Sequence, residues 1–151
     1  MPGAESCIFC RIVRGELPCH EVYGDAATIS FMDIAPVTEG HTLVVTRDHF
    51  ENLFEATPEV LAGIMATAKR VAHALRKALA PEGLMVFQLN GAAAGQTVFH
   101  YHMHLMPRAA GEPLALHART PGDPARLAEI AARLRAALAE ESPAGRGEAR
   151  S

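Results

Sequence analysis

Three of the eight histidines in this chain stand at His100, His102 and His104, in strict alternation with Tyr101 and Met103. Imidazole is the side chain whose ordinary titration falls near neutral pH, so it serves as a base, a nucleophile or a metal ligand. Positions two apart splay by about 200° round a helix but share one face of a strand. The alternation therefore predicts a strand over residues 97–106. One face carries an imidazole row spaced about 6.8 Å, and the other a core-facing row of Phe99, Tyr101, Met103 and Leu105. Single histidines such as His73 and His117 are expected to be ordinary, satisfied residues. Three in alternation mark a candidate site.

Two other groups of residues could do chemistry. Cys7 and Cys10 form a Cys-x-x-Cys pair, which in a reducing compartment points to metal or redox chemistry ahead of a structural disulfide; Cys19 is expected to stand apart. The run from Gly91 through Gly95, Gln96 and Thr97 invites comparison with a phosphate-binding P-loop. The comparison fails, because a P-loop has four residues between its glycines, a lysine after the second, and a helix following. Here there are three residues, a glutamine and a predicted strand. What remains is that glycines let backbone N–H groups approach an anion, with Gln96 and Thr97 as added donors.

The elements that must position these groups are legible in outline. A chain of 151 residues suits one domain, expected over residues 1–141, with 142–151 a frayed, disordered tail. Residues 21–23 and 28–32 read as a hairpin about Gly24-Asp25, and 41–46 as a β-branched, central strand. Thr57-Pro58 opens a long helix over 58–80, with Leu61, Ile64, Met65, Ala68, Val71, Leu75 and Leu79 on its apolar face. Residues 84–90 read as a strand joined to the histidine strand by the glycine loop, so the two are expected to be antiparallel neighbours. Asp123-Pro124 caps a second helix bearing Leu127, Ile130, Leu134 and Leu138. Hairpin-connected strands with unevenly placed helices imply an α+β fold on an antiparallel sheet.

A net charge of −3 gives no bulk electrostatic case for nucleic acid or an acidic membrane. The first residues lack a basic segment followed by an apolar run, and no stretch approaches eighteen apolar residues, so a cytoplasmic location is expected.

The wording from Gly95 through His100-Tyr101-His102-Met103-His104 to Arg108 closely resembles the histidine triad (HIT) family of nucleotide hydrolases and transferases. So do Ile8-Phe9-Cys10-Arg11-Ile12, Phe31-Met32-Asp33-Ile34 and the run from Gly40 to Val45. The resemblance implies the HIT-like fold and a purine nucleotide substrate. It also implies that His102 attacks an α-phosphate to give a nucleotidyl-histidine, which divides one hard displacement into two easier ones. Its other ring nitrogen would be held by a backbone carbonyl, with His104 beside the phosphate and His41 orienting the nucleophile. By position, Asn90, Gly95, Gln96 and Thr97 resemble the phosphate-contacting residues and Asp33 the ribose-binding acid. Ile8, Phe9, Ile12, Phe31 and Ile34 match the apolar slot for the base.

The same resemblance joins Cys7, Cys10, His49 and His100 as a structural zinc set, and two thiolates with two imidazoles suit a closed tetrahedral site. No metal is expected in the chemical step, and a homodimer through the long helix and the neighbouring strand is implied. Two other readings stay open: a catalytic zinc hydrolase built on the histidine row, and a nucleotide-binding protein without turnover.

Overall fold

The computed structural model of the chain describes residues 4–141, so the expected tail at 142–151 lies outside the described residues. A short helix α1 (Ile8–Val13) precedes the hairpin of β1 (Glu21–Gly24) and β2 (Thr28–Met32), which continues into β3 (Thr42–Thr46). The long helix α2 (Pro58–Leu79) follows, then β4 (Gly83–Phe87), β5 (His102–Arg108) and α3 (Pro124–Ala139). The five strands form one antiparallel sheet in the order β1-β2-β3-β5-β4, which is the expected α+β class with β3 at its centre and β4 and β5 as neighbours.

Both longer helices start where the sequence predicts. The Thr57 and Asp123 side chains accept from Val60 N–H and Ala125 N–H, and a proline fills the first turn of each helix. Helices α2 and α3 cover one face of the sheet, burying Ile64, Val71, Leu75, Ile130 and Leu134 against Val44, Met103 and Leu105. Met65 is the exception to the expected apolar face, being 54% exposed. The other face carries α1 and a smaller cluster of Phe9, Ile29, Phe31, Leu43 and Val45.

The histidine strand is shorter at its start than the alternation predicts, because residues before His102 find other partners. Tyr101 N–H donates to Phe50 O at 2.7 Å and the His100 ring reaches Thr46 O at 2.6 Å, which takes the chain out of the ladder. Phe99, expected in the core, is 39% exposed as a result. At the other end β5 continues through Pro107, which pairs only with Leu84 of β4. The pairing with β3 stops at Leu105, so the missing proline N–H removes no bond on that side. Strand β4 ends at Phe87, short of the expected residue 90, because the Gln88 and Asn90 amides bond each other and fold the chain into the loop.

The turn into β3 depends on Gly40, whose φ is +90°. A Cβ there would lie 2.5 Å from Leu79 Cδ1 and 3.1 Å from Pro107 Cγ, so glycine lets this turn close against the end of α2.

Candidate active site and candidate metal centre

β5 is two-sided. His102 and His104 face the α1 side, opposite Val45 and Leu43 of β3, while Met103 pairs with Val44 in the main core. Nδ1 of His102 lies 2.6 Å from the His100 carbonyl. A carbonyl only accepts, so the proton sits on Nδ1 and the lone pair on Nε2. Burial lowers the His102 pKa against the opposing effects of that carbonyl and of Asp33, and a charge on His117 would lower it further. The ring is thus held neutral, as a nucleophile requires. The edge of Phe9 fixes its plane, at 5.0 Å between centroids and 89°.

His41 and His104 form a second hydrogen-bonded unit, and its tautomers follow from one end. Val37 N–H donates to His41 Nδ1 at 3.2 Å, so Nδ1 is bare and Nε2 carries the proton. That proton is given to His104 Nδ1 at 2.9 Å, which leaves His104 protonated on Nε2, a donor. Asp33 Oδ2 lies 3.6 Å from the same His41 nitrogen, a neighbouring carboxylate beyond hydrogen-bond reach. Burial pushes His104 down to about 2, helped by His102 and His41, while burial lowers His41 against the pull of Asp33. Phe87 stacks flat on His104 at 4.3 Å. The expectation that His41 orients the nucleophile meets a difference here, since the His41 ring holds His104 and the His100 carbonyl holds His102.

The glycine loop lies beside this row, with a one-turn 3-10 segment at Ala92–Ala94 and Gly95 at φ +97°. Gln96 is buried and its amide is committed to the framework: Gly91 N–H donates to Oε1 at 2.7 Å, and Nε2 donates to Glu51 O and Val98 O. Asn90 is similarly engaged with Leu53 N–H and Gln88. These two expected phosphate donors therefore shape the loop, whereas Thr97 is exposed at its surface. Of the five residues matched to a base slot, Phe9 and Phe31 are buried in edge-to-face contact, with Ile12 packed on their cluster. Ile8 and Ile34 are 46% and 63% exposed and are the two with side-chain surface to offer a base.

His117 was expected to be an ordinary residue, yet it joins the site. Its Nε2 donates to Gly95 O at 2.7 Å, and its ring stands 6.1 Å from that of His104. It arrives from the loop after β5, and no spacing in the sequence ties it to the row.

The second cluster gathers as the sequence suggested. Cys7 caps α1 and Cys10 lies in its first turn, so both thiols leave one end of the helix. Cys7 Sγ is 3.3 Å from His100 Nδ1, and Cys10 Sγ is 3.2 Å from His49 Nδ1 and 3.4 Å from His100 Nδ1. All four ligand atoms lie within 4.8 Å of one another. A tetrahedral zinc with ordinary bond lengths needs S···N separations of about 3.5 Å, so the donors fit. His100 Nε2 is protonated, since it donates to Thr46 O, which turns the bare Nδ1 toward the thiols. Burial and the neighbouring Cys7 push the Cys10 thiol up to about 11. A divalent ion reverses that logic.

Comparison with known proteins agrees with this geometry. A family model described as the HIT domain matches residues 14–111. The chain is 45% identical over 108 residues to "Protein hit" of Bacillus subtilis, covering 72% of this chain and 74% of that protein. It is 41% identical over 103 residues to the adenosine 5'-monophosphoramidase hnt1 of Schizosaccharomyces pombe, covering 68% and 75%. The crystal structure of a zinc-bound histidine triad family protein from Mycobacterium smegmatis superposes with a TM-score of 0.80 at 41% identity, covering 91% of this chain and 96% of the other.

Proposed function

Because the chain belongs to the HIT domain family, whose relatives include nucleotide hydrolases, we propose that it cleaves purine nucleotide phosphoramidates or phosphoanhydrides through a nucleotidyl-His102 intermediate. The observation that carries this reading is the 2.6 Å bond from His102 Nδ1–H to the His100 carbonyl, which leaves Nε2 bare on a neutral, fixed ring. Nε2 attacks the α-phosphorus, a P–N bond forms, and the bond to the leaving group breaks. His104 Nε2–H hydrogen-bonds the departing atom, and the His41 proton bonded to its Nδ1 holds it in that donor tautomer. Water then attacks the nucleotidyl-histidine, and an acceptor alcohol or phosphate in its place makes the reaction a transfer.

Asp33 supports the ribose: Oδ1 accepts Ala35 N–H, and the second carboxylate oxygen is available to a sugar hydroxyl. The glycine loop with Thr97 takes the phosphate, and Ile8 and Ile34 flank the base. Cys7, Cys10, His49 and His100 hold a structural zinc that ties α1 to the start of β5. The thiols this needs suit the reducing cytoplasm. Residues 1–141 act as one domain, and two chains pair through α2 and the edge strand β4, where Met65 and Val86 stand exposed. Light scattering at twice the 16.1 kDa chain mass checks the pairing.

The test is to mix the protein with radiolabelled adenosine phosphoramidate, quench within milliseconds, and look for an acid-labile adduct on His102. Turnover with no adduct at any time would defeat the covalent route. One observation favours a second reading, a catalytic metal: Asp33, His41 and His104 also bring three ligand atoms within 4.8 Å. Adduct formation after chelation separates the two.

A further inference from the structure

The loop of residues 109–123 is tied down along its length. Arg108 donates to Glu112 O at 2.9 Å and Pro113 O at 3.0 Å, fixing its start. Gly122 N–H donates to Ile34 O at 2.7 Å, fixing its end beside Asp33. Between these anchors His117 donates to Gly95 O, so the loop crosses from the end of β5, past the glycine turn, to the segment after β2 that carries the ribose-binding candidate. Where it crosses, the loop places an imidazole at the solvent side of His104.

We infer that His117 is a specificity-determining residue, which receives the anionic group attached beyond the α-phosphate. The inference rests on the nucleotide reading above. His104 marks the leaving-group side, and His117 is the side chain set between it and solvent, 6.1 Å from ring to ring. Its Nε2 proton is spent on Gly95. In its imidazolium form the ring carries a positive charge and a second N–H donor, at Nδ1. A charge there is felt across the cluster, for it depresses His41, His102 and His104 alike. The same field stabilises negative charge on a departing phosphate or sulfate and gives a neutral amine nothing. Arg108 does not supply this charge, because it is bound to the loop and paired with Glu112 at 3.7 Å. His117 thereby tilts the site toward anhydride-type substrates.

The test compares the affinities of AMP and ADP for the full chain by calorimetry, without divalent metal, in the parent, His117→Gln and His117→Lys. Glutamine keeps a donor for Gly95 O but is neutral, whereas lysine keeps donor and charge. The parent is expected to prefer ADP, the preference falling by about threefold in the glutamine variant and returning with lysine. An unchanged ratio in His117→Gln, or equal losses for AMP and ADP, would overturn the inference by reducing His117 to loop support. Adduct formation is scored separately. An ADP preference that depends on His117, in a chain forming no adduct, would remove the hydrolase reading and leave this one standing.

Discussion

His100 works with both halves of its structure. Its carbonyl holds the His102 proton and its ring stands among the thiols, so the candidate metal centre and the proposed nucleophile meet in one residue. The two neighbours of His102 are not interchangeable with it or with each other. His102→Ala is expected to abolish turnover while nucleotide affinity stays within about tenfold, because the proposed base and ribose contacts lie elsewhere; steady-state kinetics with calorimetry measures both. His104→Ala keeps the nucleophile and loses the hydrogen-bond donor to the leaving atom, so adduct formation from a poor leaving group should slow by about a hundredfold, read by rapid quench. The three imidazoles were legible in the sequence because alternation is a geometric statement about a strand. Their division of labour could not be read that way, since it depends on a carbonyl and on the Val37 N–H that fixes the His41 tautomer. His117 was illegible for a related reason: it reaches the site through a loop, and loops carry no period.

The elements carry stability that can be tested at their turns. Asp25 closes the β1–β2 hairpin and binds it to α2, accepting from Ala27 and Thr28 N–H and from the Thr28 and Thr67 hydroxyls. Burial raises its pKa, but the bonds from Thr28, Ala27 and Tyr23 outweigh burial and hold it below the ordinary aspartate value. A depressed carboxylate contributes stability that is present above the unfolded value, about 3.9, and lost as pH falls through the folded one. Asp25→Asn should therefore lower Tm at neutral pH and lose less further stability than the parent between about pH 5 and pH 3, followed by circular dichroism. Gly40→Ala forces a side chain into a positive-φ turn against Leu79 and Pro107. It should cost about 2 kcal/mol, seen in urea unfolding. Helix starts were legible because Thr57 and Asp123 have a capping chemistry of their own. The inner ends of β4 and β5 were not, since side-chain amides and a histidine ring decide where the ladder stops.

Across the whole molecule, the two faces of the sheet divide the work. Helices α2 and α3 close the larger core, while α1 brings Cys7 and Cys10 to the face of the candidate site. Metal analysis should find about one zinc per chain. Removing it should lower Tm by at least about 5 °C, with the adduct still forming below that temperature. Adduct loss in a folded, metal-free chain would move the metal into the chemistry. Among the described residues, no helix is long and apolar enough to cross a membrane. The two-sidedness of β5 also constrains what heredity can do to this chain. Deleting or inserting a single codon between positions 102 and 106 would reverse the facing of the strand residues on one side of the change relative to the other, so the imidazoles and the core residues could no longer keep to opposite faces. A codon added at Ala92–Ala94 lengthens a surface turn outside the ladder and leaves both faces where they were. Length variation among descendants of this gene should be absent from the strand.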